Sequence, residues 1–283
     1  MQEARILLNE DPVKTEGGLS SGNAGESSNF LCYRALRLNY YAVTGLLARV
    51  CLYAGQRENA FNYSTEVIKA SNNGIFPFVD RSLVNGTAQD PDRIFSPEVL
   101  FALSDSQRGE LFEEYFDPSL APNMVFRMET DLLEQTIYGG TGTGGNLDDY
   151  RCRSNWISSG SARYFYKYSD MTESGRIENT MIPLLRLGEM YLIAAESQSN
   201  SLANGVSYIN TLRKNRGVSN LQTLTTTLLQ YEYIREVYGE GQLFFMYKRM
   251  YSSIIRSNSA TNNPAPSNAV FVVPLPDTET ENR

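Results

Sequence analysis

Apolar side chains recur at steps of four and three early in the chain. Leu36, Tyr40, Val43, Leu47, Val50 and Ala54 form one stripe, which predicts an amphipathic helix over 30–54. Gly55 ends it. Ala60, Ser64 and Val67 share a face of a second helix over 58–71, with Phe61 and Ile68 beside them. A short helix is predicted around 3–8. Toward the other end, Leu184, Leu187, Tyr191 and Ala194 mark a helix opened by Pro183, a position where a missing N–H does no harm. Ile209 and Leu212 mark the next, with Gly217 placed to end it. Ile234, Val237 and Tyr238 mark a third, running toward Glu240 and Gly241.

Two stretches break this rhythm. Residues 11–29 are rich in Gly, Ser, Asn and Glu and predict a solvated loop. Across 75–180 the helical period is lost. Turn formers cluster at Asn85 and Gly86, at Asp90, Pro91 and Asp92, at Ser96 and Pro97, and over 139–145. Alternating runs at 99–103 and 162–168 predict brief strands. A long irregular insertion is functional or disordered. Its aromatics, Tyr138, Tyr150, Trp156, Tyr164, Phe165, Tyr166 and Tyr168, argue for order.

The first helical pair resembles a tetratricopeptide hairpin. Leu47 and Ala48 fill the contact pair, Gly55 the turn, Ala60 the small contact residue, and Val67 with Ile68 the closing apolar pair. The block at 187–212 repeats the plan loosely, through Leu187, Gly188, Tyr191 and Ala203. Two imperfect copies are too few for a free-standing solenoid.

Four further motifs stand in order. The first is Pro183, Leu184, Arg186, Glu189, Tyr191, Leu192, Ala195 and Glu196. The second is Asn210, Leu212, Arg213, Arg216 and Gly217. The third is Arg235, Glu236, Glu240, Gly241, Phe244, Lys248 and Arg249. Val273, Pro274, Leu275 and Pro276 close the chain. Together they resemble the C-terminal portion of the SusD/RagB family, Bacteroidetes surface lipoproteins that capture nutrients, mostly glycans. The resemblance spans roughly 30–283. It implies a mainly α fold of tetratricopeptide-like hairpins with a loop-rich insertion containing a few short strands. It also implies an outer-membrane, cell-surface location through an N-terminal lipid anchor, and a TonB-dependent transporter as partner. Family members begin with a signal peptide, a lipidated cysteine and a run of helices. Met1 to Arg5 offer no apolar h-region, so the resemblance predicts a chain that starts inside that pattern.

Composition narrows the chemistry. Net charge is −7, and Lys and Arg form no stripe, which argues against nucleic acid. Histidine is absent, which removes Ser–His and Cys–His pairs and His-ligated zinc. The cysteines, Cys32, Cys51 and Cys152, match no metal spacing, and Cys51 reads as a small buried hydrophobe. No cofactor is called for. No segment is long and apolar enough to span a membrane. Tyrosines number 18 against one tryptophan; most of them fit core packing, and the phenol also suits amphipathic binding surfaces.

The run 140–145 matches G-x-G-x-x-G, but no helical stripe follows it, so it reads as a flexible glycine loop and not a pyrophosphate site. Asp148 and Asp149, and Glu113 and Glu114, are sequence neighbours. Glycosidase carboxylates must face each other across a sugar, so these pairs read as solvated charge, with oxygen-ligated calcium the rival role. Arg186, Glu189, Glu196, Arg213, Arg216, Glu236, Glu240 and Arg249, with Tyr191 and Gly241, read as a structural signature in which ion pairs lock helices. An anion site is the alternative.

Trp156 stands in a polar context, between Asn155 and Ile157 and near Arg153, Ser154 and Ser158. It is the leading sugar-stacking candidate, with Tyr150, Tyr164 and Tyr166 behind it; a buried anchor is the competing role. The expected organisation is one domain over 1–283, lacking its N-terminal portion. Segments 30–74 and 181–255 form the helical scaffold, 75–180 the ligand-binding face and 256–283 a tail. The expected function is non-catalytic capture of an oligosaccharide or similar nutrient. The alternatives are a peptide or other non-glycan nutrient in the same family, a soluble tetratricopeptide scaffold, and a carboxylate-based glycosidase.

Overall fold

The computed structural model describes residues 1–21, 31–85, 88–140, 142–198, 201–256, 258, 260–272, 274 and 276. Expectations at 22–29, Phe30, Gly86, Thr141, Val273 and Leu275 lie outside the described residues. The chain divides into two units, Met1–Glu236 and Val237–Arg283. The protein is mainly α-helical, with tetratricopeptide-like hairpins and a few short strands.

The first unit opens with α1 (Gln2–Leu7) and α2 (Val13–Glu16). Within the predicted loop over 11–29, Val13–Glu16 are therefore helical. Asp11 accepts from Arg34 at 3.0 and 2.7 Å in a buried pair, and Val13 is fully buried. The first long helix, α3 (Tyr40–Tyr53), is shorter than the predicted 30–54. Asn39 starts it: its side chain accepts from the Ala42 N–H at 2.9 Å and donates to the carbonyls of Arg34 and Leu100. An N-cap residue has non-helical backbone angles, so Leu36 lies in a separate 3₁₀ turn, Arg34–Leu36.

Gly55, at φ +73°, turns the chain into α4 (Arg57–Asn72). Ala48 and Ala60 are both fully buried, and α3 and α4 pack as a hairpin. Small residues at such a contact let helix backbones approach closely.

β1 (Val99–Ser104) pairs antiparallel with β5 (Met181–Arg186). The predicted helix start at Pro183 is thus a strand, with Pro183 opposite Ala102. Proline donates no ladder hydrogen bond, and a two-stranded sheet has only edges, where that is tolerated. Between them come α5 (Arg108–Tyr115), β2 (Arg127–Glu129), a π-helical turn (Leu132–Ile137), α6 (Tyr150–Asn155), β3 (Trp156–Ser159) and β4 (Ala162–Phe165). The last three strands form an antiparallel sheet in the order β2-β4-β3. β4 stops short of 168 because its partner strand runs out: the Tyr166 N–H still donates to its register partner Asn155, but Asn155 is already the last residue of α6.

After β5 come α7 (Leu187–Glu196), α8 (Val206–Lys214) and α9 (Thr226–Val237). α7 packs on α4 and α8 on α7, which extends the hairpin stack. Gly217 follows α8 at φ +73°, and a Cβ there would meet the Tyr150 ring at 2.4 Å. Both facts require glycine.

The second unit contains α10 (Leu243–Met250) and α11 (Asn268–Phe271). Phe244 packs on Phe245 and Phe271, and Tyr251 on Phe271.

Candidate functional site

The signature residues of the first unit build a buried ion network. Glu236 accepts from Arg186 at 2.8 Å, from Arg216 at 2.8 and 3.1 Å, and from Arg151 at 3.0 Å. Burial alone would raise its pKa, but the guanidinium groups, Arg216 and Arg186 foremost, hold the carboxyl well below the usual range. Arg216 also clasps both oxygens of buried Glu98, at 2.8 and 2.6 Å, and lies over the Phe95 ring. Glu232 accepts from Arg151, Arg213 and Arg235.

Gly188 makes room for this, since a Cβ there would strike the Glu236 carboxylate at 2.1 Å. Elsewhere in the first unit, Glu189 pairs with Arg49 at 2.6 Å and Glu196 accepts from Tyr233 at 2.8 Å. Tyr191 is buried beside Phe78, and burial pushes its phenol up to about 12. Glu240, Gly241 and Arg249 belong to the second unit, where Gly241 turns the chain at φ +73°.

This network fixes the loop-rich segment. Asp149 is buried against Arg151 and caps α6 through the Arg151 N–H at 2.9 Å. It is therefore a structural anchor and not the solvated charge that the sequence predicted, whereas Asp148 is exposed and pairs with Arg153. The glycine run is fastened too. Arg213 donates to the Gly144 carbonyl at 2.7 Å, and Arg235 to those of Thr143 and Ile137. These bonds replace the flexible loop of the sequence reading.

With α6 held on its inner side, its other residues open into a cleft of about 290 Å³, lined by Glu134, Leu147, Cys152, Arg153, Trp156 and Arg163. Trp156 and Phe165 are directly opposite on β3 and β4, with ring centroids 5.0 Å apart. Side chains alternate across a strand, so Arg163 shares their face of the sheet. Arg163 pairs with Glu134, and its Nε is buried without a hydrogen-bond partner. Burial and the Asp149 charge push the Cys152 thiol up to about 12, so it is no thiolate nucleophile. The cleft thus offers an indole wall and a guanidinium–carboxylate pair, Arg163 with Glu134.

Of the four predicted binding residues, the structure brings only Trp156 to this cleft. Trp156 is 5% exposed, which makes it a wall and not an open platform. Tyr150 is buried with Val79, Val84 and Phe95. Tyr164 is buried with Val125 and Ala162, on the opposite sheet face from Trp156 by alternation. Tyr166 is half-buried, edge-on to Phe112 and beneath Arg93 at 6.0 Å. Glu134, Leu147, Cys152, Arg153 and Arg163 escaped the sequence reading. The alternation along β4 carried the signal for Arg163; the register with β3 did not show.

The architecture is a helical-hairpin scaffold that clamps a loop-rich insertion carrying a small polar and aromatic cleft. The SusD family profile matches residues 105–270, well over half of the chain, and the chain belongs to that family. A SusD superfamily protein from Bacteroides vulgatus superposes with TM-score 0.62 at 20% identity, over 99% of this chain and 61% of that one. A putative sugar binding protein from the same species gives 0.61 at 21% identity, over 86% and 57%. Surface glycan-binding protein A from Bacteroides thetaiotaomicron, in complex with laminarihexaose, gives 0.60 at 17% identity, over 93% and 65%. These relatives share the fold, and the chain spans about three fifths of their length. No curated protein matches the sequence.

Proposed function

We propose that this chain is part of a non-catalytic cell-surface protein that captures an oligosaccharide in the Trp156 cleft for a TonB-dependent outer-membrane transporter, with an N-terminal lipid anchor holding it to the membrane. The observation that carries the reading is the cleft: an indole wall beside the partly exposed Arg163–Glu134 pair. Sugars present C–H faces to rings and hydroxyls to such polar groups. Family membership and a relative solved with laminarihexaose support a glycan as the ligand.

The chemistry of the cleft supports binding without turnover. Glycosidases need two facing carboxylates; among the lining residues Glu134 is the sole carboxylate, and Arg163 occupies it. The chain has no histidine, and the Cys152 thiol is held protonated. The test is a screen against immobilised neutral and acidic polysaccharides, with chromatography of the bound sugar afterwards. Retention of at least one glycan with no shortened products is expected. Release of products overturns the non-catalytic reading, and retention of none overturns the glycan reading.

A further inference from the structure

The second unit turns an aromatic and basic face outward. Met246 and Tyr247 are buried, which holds α10 by one side. At 3.6 residues per turn the opposite side reads Phe244, Lys248, Phe245 and Arg249 in order around the helix. Phe245 is 49% exposed, and Lys248 is exposed between the two rings. Tyr251, 57% exposed, and Val272, 59% exposed and next to Phe271, extend the face. Phe244 and Tyr251 both pack on buried Phe271, with ring centroids 6.1 and 6.0 Å away. Rings held from within are already ordered, so docking them loses little entropy.

Tyr251 stands in the left-handed region, φ +47°, at the end of α10. Its N–H donates to the Lys248 carbonyl, and the Ser252 N–H to that of Tyr247. Glycine holds such a turn without strain, because it has no Cβ to crowd the following carbonyl. Here a tyrosine takes the strain and leaves most of its ring in water. The face is also cationic on an anionic chain. Over 237–276, Lys248, Arg249 and Arg256 stand against Glu240, whereas the whole chain carries −7. Asp277, Glu279 and Glu281 follow, outside the described residues.

Protein interfaces enrich aromatic residues but deplete lysine, and Lys248 stands between the rings of this face. A neutral sugar gains nothing from the cations. A lipid surface uses both groups: rings settle at headgroup level, and Lys and Arg meet anionic phosphates. Among the described residues no helix is long and apolar enough to cross a membrane, so a lipid contact of α10 lies in the interface plane. We propose that Phe244, Phe245, Tyr251 and Lys248 dock the second unit on a bilayer surface bearing anionic phosphate headgroups. The rings enter the headgroup layer, and Lys248 with Arg249 meets the phosphates. The contact needs neither the cleft nor a bound sugar.

The experiment sediments the unlipidated chain with sugar-free vesicles of phosphatidylglycerol in phosphatidylcholine, and with phosphatidylcholine alone. Wild type is compared with Lys248→Glu and Tyr251→Gly, each checked by its melting temperature. Wild type is expected to bind the anionic vesicles and to bind the neutral ones at least about tenfold more weakly. Raising salt from about 0.1 to about 0.5 M should release it. Lys248→Glu should weaken binding by about tenfold or more. Tyr251→Gly should also bind more weakly while melting no lower than wild type, because glycine relieves the turn; a purely structural tyrosine would not separate the two readouts. Failure of wild type to bind, equal binding to neutral and anionic vesicles, or wild-type binding by both folded variants overturns the lipid contact. Self-association in sedimentation that Lys248→Glu abolishes gives the face to a second copy and overturns it as well. None of these outcomes touches the glycan reading, since no sugar is present.

Discussion

Glu236 shows how single residues hold the loop-rich segment. It meets three guanidinium groups, from β5, α6 and the turn after α8. Removing one partner of a buried ion pair leaves opposing charge unpaired, at a cost of about 3–5 kcal/mol. Glu236→Gln is therefore expected to lose about that much stability at pH 7 in denaturant titrations. The pH sign follows from its depressed carboxyl. The contribution is fully present above the ordinary value of 4.5 and is lost as pH falls through the lower folded value. Wild type should melt at a constant temperature from pH 7 to about 5 and fall below that, with a shallower acid slope in Glu236→Gln. An acid limb equally steep in both proteins contradicts this role. The arginines of the network were legible as paired, because charged residues recurring inside helical stripes must be compensated. Glu236 was named with them, but Glu98 was not, since it lies 118 residues from Arg216. Trp156 was legible as a candidate from its polar context, but its burial depends on Phe165, which sequence distance hides.

Elements were legible where one period dominated. The stripe through Val43 and Leu47 and the small face of Ala60 and Ser64 gave the α3 and α4 hairpin, with both alanines fully buried at its contact. Ala60→Leu is expected to overpack that contact and cost about 1–3 kcal/mol in a thermal melt; an unchanged melting temperature would count against the packing. Local signals failed where a partner decided the outcome. Met181 to Arg186 carry apolar residues that suit a helix start or a strand, and pairing with β1 selects the strand. Asn39 truncates α3 because its amide also serves Leu100, far away in sequence. The cleft was illegible for the same reason: it depends on the register of β3 and β4 and on a π-helical turn that brings Glu134 to Arg163.

At the scale of the first unit, the hairpins supply rigidity, the ion network clamps 75–180 to them, and the clamped segment presents the cleft. Binding residues concentrate on loops positioned by rigid scaffolds, and here the same helix, α6, serves both tasks. Arg151 faces the network while Cys152 and Arg153 line the cleft. The most direct test is calorimetric titration of the retained oligosaccharide into wild type, Trp156→Phe and Arg163→Gln. Phenylalanine is the better probe than alanine, because Trp156 packs on Phe165 and its truncation would empty part of the core. Both variants are expected to keep their melting temperature within a few degrees and to bind at least about tenfold more weakly. Wild-type affinity in both folded variants would contradict the cleft as the site of capture.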